Sequence, residues 1–570
     1  MKKTNGQKGI TLVALVITII ILLILATISI QALTNTGLFK KAKEAKEKTQ
    51  VAEINQAKTL NEYEDELNKY VSEVSKVDTD WTGKVNKPKL MTGMTAIKFN
   101  EPTGDEKANE GSVIKTTDTD TAWYDYDAKK WANAQTQDGS MWVWIPRFAY
   151  RVNKSTQTFD VVFLEGTTDY YYENGEKKEA KRQKTENETV DTTTGYTVHP
   201  AFTNESSINY VNGGWDKELT GIWVSKFEAG FASGNNSATV KESSVKYTEA
   251  DATVSLVEKV YSDDKAPARN YLDGEYGVKN GNSYTFKDGI APSIKYPTFQ
   301  GLTYSMNYIS HSDAFNISKV LTENGNIYGL NSISTDSHML KNSEWGAVAY
   351  LSQSKYGLNG TNIYINNVNL NNTSKSVYAV TGCAGTTKDA NTVTTTITEI
   401  NDRNISGVYV WTQKSGTKAS TTGTIYGIYD MSGGTWERTT ALLNNGNTEA
   451  IKYIQILLEQ VKNGKSSKYV TVYPYDSSVD KDGANTNEAS AANWKANTKI
   501  YGDGIRETST AGIGNTSWYG DFSYFPAVGV PSTRRGGDYS GANSAGLLSF
   551  TRSGGDSTYY NGFRSVLVVK

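Results

Sequence analysis

Few residues of this chain could make or break bonds. Its 570 residues include one cysteine, Cys383, and three histidines, His199, His311 and His338. A lone cysteine forms no intrachain disulfide, and Cys383, inside the apolar stretch 377–384, reads as a small buried hydrophobe. The histidines are far apart and lack HxxxH or HExxH spacing, so a His-rich metal site is not expected. No Ser-His-Asp arrangement, P-loop or dinucleotide fingerprint is readable. Asp118-Thr119-Asp120 looks like half a calcium loop. No glutamate closes it at the right distance, so an EF-hand is excluded, a looser Ca2+ site is not assignable, and no other cofactor is indicated. The chemistry the chain does offer is recognition chemistry, and it lies in residues 534–570. That stretch opens with cations and glycines, Arg534-Arg535-Gly536-Gly537, and closes on the apolar run from Phe563 to Val569. Between them lie Gly, Ser, Asp, Asn and Tyr with only a brief apolar island, Ala545 to Phe550, the composition of an antibody-like binding surface.

The rest of the chain must position this stretch. At 570 residues there is room for more than one core. The formal net charge of -2 gives no global basic character, so nucleic acid is not favoured as a partner. With 36 Tyr, 50 Gly and only 10 Pro, the composition suits many short strands and irregular loops.

Residues 1–9 carry Lys2, Lys3 and Lys8. Residues 10–30 are almost wholly apolar, about 21 residues, enough for a helix to cross roughly 30 Å of hydrocarbon. The preceding lysines place the N-terminus in the cytoplasm and the remainder outside, as a single-pass membrane protein. Apolar residues then recur at three- and four-residue steps through residues 31–75, the pattern of an amphipathic helical stalk. Residues 76–140 are turn-rich and read as a spacer or a small β subdomain.

Order returns in two β-rich runs, one from Met141 to Val152 and the other from Gly221 to Ala229. Helices are expected around 299–307 with 311–315, and more clearly at 339–351, capped near Asn342 and ended by Gly357. Residues 358–420, including 362–366, read as exposed strands or loops. Insertions are expected near 153–215, 232–295, 360–420 and 445–515, with a short helix at 451–461.

Two resemblances follow. Lys8-Gly9-Ile10-Thr11-Leu12-Val13 resembles a type IV prepilin leader. This implies cleavage between Gly9 and Ile10 by a prepilin peptidase, with methylation of the new N-terminus. Pilins carry glutamate at mature position five; this chain has Ala14, which favours a solitary anchor over filament assembly.

A second series runs in fixed order: Trp223-Val224-Ser225-Lys226-Phe227-Glu228, then Glu344-Trp345, then Tyr429-Asp430-Met431-Ser432-Gly433-Gly434-Thr435-Trp436-Glu437, then Arg535-Gly536-Gly537 and Gly562-Phe563-Arg564. It resembles the sulfatase-modifying-factor (formylglycine-generating enzyme) domain, a branch of the C-type lectin fold. The resemblance implies an α+β domain over 141–570. Its framework is Glu344, Trp345, Trp436, Glu437, Arg535, Gly536, Gly537, Phe563 and Arg564. Arg535 and Arg564, if buried, need carboxylate partners, for which Glu344 and Glu437 are the candidates. The catalytic cysteine pair of that enzyme is missing, so no enzymatic activity and no metal-dependent oxidation are expected.

The arrangement is also similar to variable proteins of diversity-generating retroelements, in which adenine-directed mutagenesis alters residues near the end of such a domain. That resemblance implies a variable region over 535–565. Its ligand-binding residues would be Asp538, Tyr539, Ser540, Asn543, Ser544, Ser549, Thr551, Asp556, Ser557, Tyr559, Tyr560 and Asn561, with Trp518 and Tyr519 as neighbours. The expected function is a cell-surface receptor or adhesin for a protein or glycan ligand on another cell, phage or surface. The alternative is a structural pilin or pseudopilin subunit that contacts other pilus subunits.

Overall fold

The strand Met141–Pro146 alternates large aromatics with branched aliphatics, and that alternation organises the molecule. Successive side chains of a strand point to opposite faces. Trp142 and Trp144 therefore enter one hydrophobic core, while Val143 and Ile145 enter another. The paired strand Gly221–Ser225 repeats the division, with Trp223 on the first side and Ile222 and Val224 on the second. Both strands are buried along their whole length because the sheet is covered on both faces.

The computed structural model describes residues 17–18, 85–105, 111–183, 185, 188–204, 214–231, 246–249, 252–255, 277–280, 283–286, 296–307, 309–371, 377–386, 395–397, 408–444, 453–461, 467–478, 485–556, 558 and 560–570. The chain divides into two compact units, Met1–Thr79 and Asp80–Lys570. In the first, only Ile17 and Thr18 are described, both helical and exposed. The leader with Gly9 and Ile10, the rest of the expected membrane run and the stalk lie outside the described residues. Among the described residues no helix is long and apolar enough to cross a membrane.

The second unit mixes α and β, mostly strands. Its first sheet has seven strands in the order Thr335–Met339, Ser565–Val569, Gly221–Ser225, Met141–Pro146, Asn133–Gln135, Thr95–Phe99 and Val113–Lys115, all antiparallel. The last three come from the region expected to be a spacer or a small β subdomain. That region instead completes the sheet, because Ile97, Phe99, Trp123 and Ala134 bury against Trp142 and Trp144. The second sheet runs Thr471–Pro474, Trp436–Asn444, Ser532–Gly536, Gly546–Ser553, Ser523–Tyr524 and Ile513–Gly514. Asn561–Phe563 lies parallel to the first residues of Trp436–Asn444.

Helix Asn342–Ser352 is buried on all sides. Its start is fixed by Glu344, whose carboxylate accepts from Lys341 N at 2.9 Å, the reach-back of a capping box. It ends at Gln353, short of the expected stop at Gly357. Helix His311–Lys319 starts where Ser310 Oγ accepts from Asp313 N. Residues 299–307 form turns and bridges, not the expected helix. The helix Gln455–Gln460 falls within 451–461 as expected, whereas Asn487–Ala496 gave no sequence signal. Within 362–366, expected to be exposed, Ile363, Ile365 and Asn366 are buried. Asn366 Nδ2 donates to Val380 O and to Asp430, so this polar stretch is spent on internal hydrogen bonds.

Candidate functional site

At Arg564 the closing segment passes from the second sheet to the first. Asn561–Phe563 belongs to one sheet and Ser565–Val569 to the other. The Arg564 guanidinium joins them: NH1 donates to Ser225 O in the first sheet at 2.9 Å, and NH2 to Tyr429 O at 2.9 Å. Nε and NH2 grip both oxygens of Glu437 in the second sheet, with Nε at 2.6 Å. This bidentate pair is fully buried, and a buried guanidinium tolerates such a place only when its donors are satisfied. Burial pushes the Glu437 carboxyl up to about 7, against the pull of Arg564.

Two further buried acids surround this joint. Asp430, held at φ 62, accepts from Gly382 N at 2.9 Å and from Asn366 Nδ2 at 2.9 Å. Its carboxyl is raised to about 6 by burial. Glu228 accepts from Ser305 Oγ, Thr435 N and Thr435 Oγ1, and is raised well above the carboxylate range by burial and by Asp430 and Glu437. Lys226 is also buried. Its Nζ donates to Asn133 Oδ1 at 3.0 Å, Ile425 O at 2.6 Å and Gly427 O at 2.8 Å. Sequence reasoning quoted Lys226, Glu228 and Asp430 as motif letters without giving them a role. Their charge within otherwise largely apolar stretches was the available signal.

Arg535 takes neither candidate carboxylate. It donates to Asp503 O at 2.7 Å and Ser549 O at 3.0 Å, and its guanidinium lies 5.4 Å from the Trp345 ring centroid. Glu344 instead faces His338, whose Nε2 lies 3.0 Å from its carboxylate. It is held below the usual carboxylate range by His338 and Lys341, against burial. Of the two candidate carboxylates, Glu437 goes to Arg564 and neither goes to Arg535: Glu344 is spent on its own helix start and on the neighbouring strand Thr335–Met339 that carries His338.

From this framework two loops emerge side by side. Gly536 and Gly537 have φ of 86° and 79°, a region that favours glycine, and they turn the chain out of strand Ser532–Gly536. Tyr539 N then donates to Gly434 O at 2.8 Å. The second loop follows strand Gly546–Ser553, and Trp436 N donates to Tyr560 O at 2.8 Å. Both loops are thus pinned to the stretch from Gly434 to Trp436.

Burial divides the candidate residues. Ser540 and Asp556 are exposed, and Ser544 and Tyr560 are half-buried. Asp538 is 9% exposed and its carboxylate is used by Ser540, accepting from the backbone N at 2.8 Å. Tyr539, Ser549, Thr551 and Asn561 are buried. Ser549 donates to Ser544 O and receives Phe522 N, while Asn561 Oδ1 receives Arg534. Ser549, Thr551 and Asn561 stand under the surface because the strands that carry them are covered on both faces, and Tyr539 is buried in the turn after Gly537. The backbone of Asn543 lies in the first loop; Ser557 and Tyr559 lie outside the described residues. Trp518 and Tyr519 also leave the expected face. Trp518 packs on Phe159 in the second core with ring centroids 5.1 Å apart, and Tyr519 OH donates to Gln157 O at 2.5 Å.

Cys383 is buried, with its thiol pushed up by burial. Asp118 pairs with Lys87 at 2.9 Å, and Asp120 with Lys98 at 2.6 Å, so the half calcium loop spends its carboxylates on lysines. Among the described residues no group of three or more His, Cys, Asp or Glu is placed to hold a metal ion. No protein-family model matches the chain, and no curated protein matches it.

Proposed function

We propose that this chain is a cell-surface ligand-binding protein, a receptor or adhesin. An N-terminal membrane helix anchors it, and a C-type-lectin-like domain displays the loops 537–545 and 554–560. One observation carries the reading: both loops are pinned to the same short stretch, from Gly434 to Trp436. Their exposed residues, Ser540 and Asp556, thereby belong to one face on a rigid framework. Loops held on a scaffold are the usual place for recognition. The anchor places that face outside the cell, and variation among the exposed positions would change the ligand without touching Arg535, Glu437 or Arg564.

The test compares cells displaying the full chain with cells displaying Ser540→Arg/Asp556→Arg at equal surface level. Attachment to the surface or cell that the parent chain binds should fall by about tenfold or more, as for loss of a central contact. Unchanged attachment would sink the reading.

A further inference from the structure

The pairing of strands Trp436–Asn444 and Ser532–Gly536 sets Arg438 directly opposite Arg534. Like charges facing each other across a ladder repel, and here neither is compensated by contact. Arg438 is fully buried. It donates from Nε to Ile309 O at 3.0 Å, from NH1 to Ser553 Oγ at 3.3 Å, and from NH2 to Asp556 O. Arg534 is half-buried and donates from NH1 to Asn561 Oδ1 at 2.6 Å and from NH2 to Arg552 O at 3.2 Å. Every one of these acceptors is neutral. Among the described residues neither guanidinium makes an ion pair within 4 Å; Arg534 also interacts with the Tyr560 hydroxyl, and the carboxylates of Asp556 and Asp538 act on it from farther away. Arg534 Nε is buried without a hydrogen-bond partner. The Trp436 and Tyr560 rings lie 5.7 Å and 5.4 Å from the Arg534 guanidinium and hold its plane in place. Burial and the facing Arg534 lower Arg438 to about 9, against the weaker pull of Asp556 and Asp313.

We infer that Arg534, backed by Arg438, is a fixed carboxylate anchor within the binding face, and that the ligand presenting the carboxylate is an acidic side chain of a protein partner. The inference rests on the proposed function and adds the chemistry of the ligand. A planar guanidinium matches a carboxylate in a forked geometry. A sugar ligand would call for an open aromatic platform. Among the described residues of this face Trp436 and Tyr539 are buried, and the half-buried Tyr560 is engaged with Arg534. Arg534 precedes the expected variable stretch, so it would remain constant while the loops around it changed.

The experiment uses the full chain in detergent micelles. Its probes are an oligoglutamate peptide, the matching oligoglutamine peptide and sialyllactose. Oligoglutamate should bind at least about tenfold more tightly than oligoglutamine, and Arg534→Gln should remove that difference, the size expected of a charge-assisted contact. Because Arg534→Gln could disturb the strand, its thermal melting is compared with the parent. A second measurement needs no variant: phenylglyoxal should modify Arg534 in the free protein, and oligoglutamate should protect it. Equal binding of the two peptides, no protection of Arg534, or preference for sialyllactose would each overturn the inference. If attachment is lost in Ser540→Arg/Asp556→Arg while these peptide results are negative, the carboxylate anchor fails and the binding face stands. If attachment is unchanged there, the face itself fails.

Discussion

Three carboxyl groups, Glu228, Asp430 and Glu437, share a buried site with a single guanidinium, Arg564. Breaking the Arg564–Glu437 pair would leave a buried charge uncompensated, which costs about 3–5 kcal/mol. One cation cannot neutralise three carboxylates, so the surplus acids must hold protons. Glu228, buried and facing Asp430 and Glu437, is raised well above its ordinary value. The sign follows from linkage. The folded state keeps a proton on Glu228 that the unfolded chain releases near pH 4.3, so its stabilising contribution is full at low pH and is lost as pH rises above that value. Glu228→Gln keeps the shape and stays neutral. Its thermal midpoint should therefore fall less than that of the parent between pH 6.5 and 8.5. Above about pH 6.5 the opposing proton uptake by unfolded His199, held down to about 3 by burial in the fold, no longer contributes. Parallel melting curves for the two proteins across that window would contradict the argument.

At the scale of elements, backbone geometry decides where the loops can go. Gly537 has φ 79°, and a Cβ there would overlap the Ala545 backbone. Gly537→Ala should cost about 1–3 kcal/mol of stability and shift the loop 537–545, lowering attachment. Gly554→Ala, whose Cβ would find its nearest neighbour 3.9 Å away, should stay within about 0.5 kcal/mol. Thermal melting of the two variants separates these outcomes. The sequence made such elements legible unevenly. The strands Met141–Pro146 and Gly221–Ser225 were readable from their runs of aromatic and β-branched residues. Glu437 was legible as a candidate partner of Arg564 because a buried guanidinium needs a carboxylate, though which arginine it takes was not legible. The burial of Ser549, Thr551 and Asn561 was not, since composition distinguishes a polar loop from a core but not the inward from the outward side of a polar strand. Nor was the partner of Arg535, because its acceptors are main-chain carbonyls, which any residue supplies. The strands Thr95–Phe99 and Asn133–Gln135 were hidden by the turns around them.

At the scale of the molecule, the exposed loops are followed by a strand the fold depends on. Ser565–Val569 pairs on one side with Thr335–Met339 and on the other with Gly221–Ser225. Its side chains serve both cores: Leu567 enters one, Val566 and Val568 the other. Burying a Val or Leu side chain is worth about 1.5–3 kcal/mol, so three of them contribute roughly 5–9 kcal/mol. That is comparable with the entire stability of a typical domain, about 5–15 kcal/mol. Ending the chain at Arg564 would also expose two unpaired strand edges inside the sheet. This truncation should therefore unfold the unit Asp80–Lys570 as a whole, measured as loss of its thermal transition and rapid proteolysis. Removing Lys570 alone, which is exposed and gives up hydrogen bonds to Ser334 O and Ser332 O, should lower the midpoint by only a few degrees. If the truncated chain melted cooperatively near the parent temperature, the closing strand would be an accessory.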